Sequence, residues 1–199
     1  RLKIINCLKI LLGLSKKSPN IKKPRVKKHY RAPKPSKYPI RLKKKQKVGF
    51  HYKFTERQLL QCSHIARRSE GYIVEVLLQL LEINLDNIIF QLGMASTIPG
   101  ARKLFNHRDI LLNNRIVDIP SYHCKPQDLI SIKDQQRSRN IINKNIDLAK
   151  RDKMRVPNLL NLKKEKSQYI ELVKKIIDSK WISLKINELL VIEYYSYRI

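Results

Sequence analysis

The residues best placed to do chemistry are cations interleaved with rings and amides. In ARKLFNHRDILLNNR, Lys103 and His107 stand four apart, one helical turn, with Arg102 and Arg108 flanking them and Arg115 following. In RLKKKQKVGFHYKF, running from Arg41 to Phe54, basic side chains alternate with Phe50, His51 and Tyr52. Ammonium and guanidinium groups neutralise phosphates while rings stack on bases, which is the chemistry of nucleic-acid binding. Catalysis has no comparable candidates. No Gly-rich phosphate loop, Ser-His-Asp pattern or H-E-x-x-H site occurs, and the chain has only five glycines. Cys7, Cys62 and Cys124 are odd in number and far apart, as expected of reduced thiols in a non-secretory compartment. A zinc site needs about four clustered ligands. His107, His123 and Cys124 are three scattered ones without a C-x-x-C, so neither metal nor other cofactor is expected.

The charge pattern supports a polyanionic partner. The first acidic residue is Glu56, and the 55 positions before it hold 19 of the 43 Lys and Arg. That segment carries +19 of the formal +27. A stretch so one-sided repels itself until a polyanion neutralises it. A membrane surface would require an amphipathic basic helix, which the five prolines from Pro19 to Pro39 oppose. No window is apolar enough for a membrane span, and Ile10 to Leu14 is too short for a secretory core, although the start at Arg1 leaves a processed or truncated terminus open. With 199 residues, 42% of them hydrophobic, the chain can bury one ordinary core or two small ones.

The elements that must position these cations follow from period and capping. Residues 1–40 read as a basic, proline-punctuated extended arm lying outside the cores and ordering on its partner. Arg41 to Phe54 has helical propensity, weakened by Gly49. Thr55 with Gln58 has capping-box spacing and starts a helix whose apolar stripe is Leu59, Cys62, Ser63 and Ala66. Val74, Leu77, Leu78, Leu81, Leu85, Ile88, Ile89 and Leu92 recur at helical spacing and predict core, with Gly93 as the stop. Ser96 or Thr97 before Pro99 caps a further helix that turns Ala101, Leu104 and Phe105 inward, leaving Lys103 and His107 as a cationic edge. Asn113 and Asn114 tolerate the positive φ of a tight hairpin between two apolar runs, and Leu129, Ile130 and Ile132 predict another strand. A helix around 138–146, short strands at 159–162 and 169–173, and a final segment ambiguous between strand and a helix capped at Asn187 complete the chain.

LDNIIFQLGMASTIPGARKLFNHRDILLNNRIVDIPSYHCKPQDLISIK resembles the alpha-L RNA-binding module, two helices on a small sheet. With KKKQKVGFHYKFTERQLL before it and INELLVIEYYS after it, the chain from Arg41 to Ile199 resembles the small-subunit ribosomal protein four family, and MASTIP with VDIPSYHCKP is similar to its plastid branch. The resemblance implies an α+β fold: a helical domain at 41–83 completed by 186–199, and an RNA-binding domain at 84–185 with the module at about 84–132. It implies a non-enzymatic subunit that binds small-subunit rRNA early, at a junction of the 5′ domain, nucleating assembly and contributing to translational accuracy. Its implied neighbours are ribosomal proteins five and three, around the mRNA entry path. Its implied location is the plastid ribosome, in keeping with abundant Lys, Asn, Ile and Tyr, residues with A/T-rich codons; a mitochondrial version is the alternative.

Carried onto this chain, the implied rRNA contacts in the module are Arg102, Lys103, His107, Arg108, Asn113, Arg115, Ser121, Tyr122 and Lys125. A second set comprises Arg41, Lys45, Lys47, His51, Tyr52, Arg57 and Gln58. For a lone basic residue the plain alternative is a solvated side chain, and for Tyr122 it is core. Arg108 and Asp109 stand where glycine and histidine are frequent in the family, while Asn114 and Gln127 replace turn glycines; Asp109 sets a negative charge beside the expected RNA face. Two rivals share the module: RNA-modifying enzymes of the pseudouridine-synthase kind, with tyrosyl-tRNA synthetases, and free ribosome-rescue factors. Too little chain remains for a catalytic domain. Asp86 in INLDNII lacks the synthase GRLD context and suits helix packing or an arginine partner, and a rescue factor is not expected to keep both flanks.

Overall fold

A computed structural model describes residues 4, 5, 8, 11, 13–15, 36–151, 160–165, 168–173 and 189–196. Helix α1, Lys37–Tyr52, begins four residues before the expected start at Arg41. It includes Pro39, which sits in the first turn, where the missing N–H would have had no intrahelical partner anyway. The helix continues through Gly49, where a Cβ would lie 3.2 Å from Leu59 Cδ1, and ends on Lys53 with φ 59°. Helix α2, Glu56–Arg68, starts at the expected capping box: Gln58 N–H donates to Thr55 Oγ1 at 3.4 Å and Thr55 N–H donates back to Gln58 Oε1 at 3.0 Å. Its predicted stripe, Leu59, Cys62, Ser63 and Ala66, is buried.

The apolar period from Val74 to Leu92, read from sequence as one region, divides into α3, Ile73–Glu82, and α4, Leu85–Gln91. The break has a clear cause. Asn84 caps α4 while its Nδ2 donates back to the carbonyls of Leu80 and Leu81, each at 3.3 Å. The first free donors of α4 go outward instead of backward: Leu85 N–H to the Tyr122 carbonyl at 2.9 Å and Asp86 N–H to that of Pro120 at 3.1 Å. Gly93, at φ +74°, ends that region as expected. Thr97 then caps α5, Ile98–Asn106, accepting from Gly100 N–H at 3.2 Å.

The sheet is antiparallel throughout, in the order β2-β1-β3-β5-β4, from β1 Ile110–Leu112, β2 Arg115–Ile116, β3 Leu129–Ile132, β4 Leu160–Glu165 and β5 Gln168–Val173. Asn113 and Asn114 make the β1–β2 turn with φ 50° and 63°. Helix α6, Gln136–Arg151, extends past both ends of the expected 138–146 stretch, and α7, Leu189–Ser196, resolves the ambiguous tail as helix. The expected cap at Asn187 lies outside the described residues.

Among the described residues, two apolar cores result. One joins α4, α5, β1, β3 and α6 through residues including Ile89, Phe105, Ile110, Ile130 and Ile142. The other joins α1, α2, α3 and α7 through Tyr52, Leu59, Leu81 and Tyr195. Ile5, Leu8, Leu11 and Leu14 are buried in this second core. That corrects the expectation of a basic extended arm outside the cores for this part of the head. Lys3 and Lys9 interrupt the apolar residues in sequence, but burial needs only the apolar face of the segment. Gly13 makes the approach possible: its carbonyl accepts from Ile98 N–H at 2.8 Å, and a Cβ there would come within 2.6 Å of the His51 carbonyl oxygen. Pro19, Pro24, Pro33 and Pro35, and Cys7, lie outside the described residues.

Candidate nucleic-acid interface

Helix α5 builds the centre of the interface. Its inward face is Ala101, Leu104 and Phe105, all buried, so the helical period sends Lys103 and the C-terminal His107 to solvent. Arg108 follows at φ 58°, a left-handed turn that reverses the chain from α5 into β1 and leaves its guanidinium exposed, 3.7 Å from Asp118. Both residues of that pair are mostly solvated, so it holds the arginine weakly. Arg115 opens β2, exposed. The hairpin turn is locked to the next turn by Asp128: Asn113 Nδ2 donates to Asp128 Oδ1 at 2.9 Å, and Lys125 N–H donates to its Oδ2 at 2.8 Å. Lys125 is thereby held beside the hairpin tip, and Gln127 supplies the positive φ of 75° that this second turn requires.

The residues carried over from the family therefore separate physically. Lys103, His107, Arg108, Arg115 and Lys125 are exposed around α5 and the β1–β2 hairpin. Asn113 is also exposed, but its side chain ties turns together, its Oδ1 accepting from Leu129 N–H at 2.9 Å. Ser121 is half-buried and Tyr122 is exposed, in a loop whose carbonyls serve α4. Arg102 is not on the open edge. Its Nε donates to Asp86 Oδ2 at 2.7 Å and its terminal nitrogens to the carbonyls of Lys53 and Tyr52 at 3.0 and 3.3 Å, so it clamps α4 to the end of α1. The expected arginine partner of Asp86 is this one.

In the second set, Arg57 is exposed and Lys47 half-buried, whereas Arg41 pairs with Glu193 at 2.7 Å. Lys45 pairs with Glu56 and lies 5.2 Å from the centre of the Tyr194 ring. Gln58 is committed to the capping box. His51 and Tyr52 are placed in the core, which corrects their expected place on the RNA face. At this end of α1, Glu82 of α3 and the backbone at Gly13 lie against the two residues. Burial, followed by the charge of Lys47, holds His51 down at about 4. Tyr52 Oη donates to Glu82 Oε1 at 2.6 Å, and Asn87 and Gln91 donate to the other oxygen of the same carboxyl group. Burial pushes Glu82 up from the ordinary carboxylate range, against those three hydrogen bonds.

Asp109 is likewise corrected. It is not an open surface charge but is buried at the edge of the cavity between α5 and α6, accepting from Ser138 Oγ at 2.7 Å, while its carbonyl accepts from Lys133 N–H at 2.9 Å. These bonds join α5, β3 and α6. Sequence reasoning also missed Arg137, which the start of α6 brings to the Lys103 and His107 side of α5 across a cavity of about 360 Å³. Only the basic, polar character of residues 134–156 hinted at it. Cys62 and Cys124 are free and buried, and Cys124 is pushed up to about 12 by burial and by Asp128 and Asp86. Among the described residues no group of three His, Cys, Asp or Glu is arranged to hold a metal ion, and no helix is long and apolar enough to cross a membrane.

Comparison with known proteins agrees with this arrangement. The family described as S4 domain matches residues 83–130, spanning α4, α5 and the sheet hairpin, and the Ribosomal protein S4/S9 N-terminal domain matches residues 2–82. Small ribosomal subunit protein uS4c of Cycas taitungensis is 59% identical over 196 residues, covering 98% of this chain and 95% of the relative. Proteins of the same name from Pinus koraiensis and Narcissus odorus are 58% and 57% identical, each over 98% of this chain and over 95% and 96% of the relative.

Proposed function

The chain belongs to the small ribosomal subunit protein uS4 family in its chloroplast form, and from that premise we propose that the cationic edge of α5 and the β1–β2 hairpin is a primary rRNA-binding surface. The protein is a structural constituent of the plastid small ribosomal subunit and not an enzyme. The observation that carries the surface assignment is the exposure of Lys103, His107, Arg108 and Arg115 on a frame whose inward residues, Ala101, Leu104, Phe105, Ile110 and Leu112, are buried in one core. Solvent-exposed cations of this kind displace counterions from phosphates. We assign Lys125, Ser121 and Tyr122 to the same surface, with Arg57 and Lys47 of the helical unit as a second set, in keeping with the exposure of Lys125, Tyr122 and Arg57.

Binding at a junction of the 5′ domain nucleates assembly, and ribosomal proteins five and three, with the mRNA entry path, are the neighbours through which the protein contributes to accuracy. We assign 41–83 with 186–199 to the helical unit and 84–185 to the RNA-binding unit, a division supported by the separate core of α4, α5, β1, β3 and α6, although Phe90 and Ile98 reach across it into the helical core. Neither an RNA-modifying nor a rescue role finds support.

Filter binding to the isolated 5′ domain of plastid small-subunit rRNA across a salt series tests the assignment. Affinity is expected to fall by about 10³-fold or more between low and moderate salt. Lys103→Glu with Arg115→Glu should abolish binding while leaving the circular-dichroism melt unchanged. Equal binding to unrelated structured RNA would defeat the primary-binder assignment, and a parallel loss of fold in the double variant would show that these residues are structural.

A further inference from the structure

The cavity between α5 and α6 holds a combination that a plain phosphate site does not need. Lys103, His107 and Arg137 supply cationic or donor groups, Leu104 and Ile141 supply apolar wall, and Asp109 places a carboxyl group among them. A site for phosphate alone is weakened by an acid within it, because the two anions repel. Asp109 is only 8% exposed, and it is fixed from below by Ser138 Oγ on its Oδ1. A carboxyl group held this way is an oriented acceptor. At about 360 Å³ the cavity lies at the small end of ligand pockets.

Of the groups an RNA presents, the Watson–Crick edge of guanine offers two adjacent donors, the N1–H and the 2-amino group, to one carboxyl group. The other bases do not present that pair. Unstacked bases are read in this way when RNA is unpaired, with the phosphate neutralised nearby and the ring lying on apolar or cationic side chains. Resting on the rRNA-binding assignment above, we propose that this cavity receives a single unpaired guanosine of the rRNA. Asp109 accepts from its base edge, Ile141 and Leu104 bound the ring, and Lys103, His107 and Arg137 meet its phosphate. The site joins α5 to α6, so the bound nucleotide bridges the module to the helix that follows it.

Kethoxal, which reacts with the N1 and 2-amino positions of unpaired guanine, reads the proposed contact directly. The full chain bound to plastid small-subunit rRNA should protect one otherwise reactive guanine several-fold. Asp109→Asn keeps the acceptor for Ser138 and exchanges the other oxygen for a donor, so that guanine should regain reactivity while the rest of the footprint persists. Ile141→Trp, at a partly exposed position that lines the cavity, should do the same and carries the test if Asp109→Asn does not fold. Protection of no guanine, or of the same guanines in both variants, would overturn the proposal. Failure of the wild-type chain to bind rRNA at all would instead overturn the rRNA assignment. A parallel titration with guanosine monophosphate distinguishes the source: saturable binding of the free nucleotide without any protected rRNA guanine would also overturn the proposal.

Discussion

His51 shows how a basic residue in a basic stretch can be spent on packing. With no part of it exposed, it must stay neutral, and burial and Lys47 hold it down to about 4. The unfolded chain titrates histidine near 6.5, so the unfolded state binds the proton first. Stability associated with neutral His51 is therefore complete above that value and is lost as pH falls toward 4, by up to about 3 kcal/mol. Glu82 and Asp86 act in the opposite sense, because burial raises both and acidification relieves their cost. The difference between wild type and His51→Gln isolates the histidine. Urea melts between about pH 7 and pH 4 should show the wild-type advantage shrinking steadily, and a constant difference would contradict the assignment. Arg102 gives a second residue-level expectation. Arg102→Ala leaves Asp86, with its side chain 4% exposed, without its charge partner and should cost about 3 kcal/mol, whereas Arg102→Ala with Asp86→Ala should cost less than the sum.

At the level of elements, turn positions decide where the cations point. Gly93 stands at φ +74° and a Cβ would come 2.6 Å from Ala149 Cβ on α6, so two penalties coincide there. Gly93→Ala should destabilise by more than about 1 kcal/mol, read as a lower denaturation midpoint. Asn114, at φ 63° in a turn, is a residue type that tolerates this conformation, so Asn114→Gly should leave the midpoint nearly unchanged and RNA affinity intact. A fall in affinity with Asn114→Gly would mean that the asparagine side chain itself meets RNA. Capping was legible here because Thr55, Gln58 and Thr97 act within one turn of their own chain. The α3–α4 break was not, because the carbonyls that capture the α4 donors come from Pro120 and Tyr122, over thirty residues away.

For the whole molecule, the acid-free head is divided in its roles. Ile5, Leu8, Leu11 and Leu14 complete the helical core, and Gly13 seats them between α1 and α5. These four residues are thus structural, within a segment that is strongly basic in sequence. Leu11→Ala should cost about 2–5 kcal/mol in stability while leaving the salt slope of rRNA binding unchanged, because it removes buried methyl groups and no cation. A change in salt slope without a change in stability would return this segment to a purely electrostatic role.

The sequence by itself determined the chemistry and the local frame: the positive charge, the family, the capping box, the inward face of α5 and the Asn-Asn hairpin. Each depends on composition or on residues a few positions apart. Which cations remain available depends on long-range packing. Arg102 and Lys45 are turned to ion pairs, His51 and Tyr52 are withdrawn into the core, and Asp109 is joined with Arg137 in one cavity. The physical reason is that a side chain's partner is set by what packs across from it. Asp86 meets Arg102, and Arg41 meets Glu193 from 152 positions away, through contacts that no local period encodes.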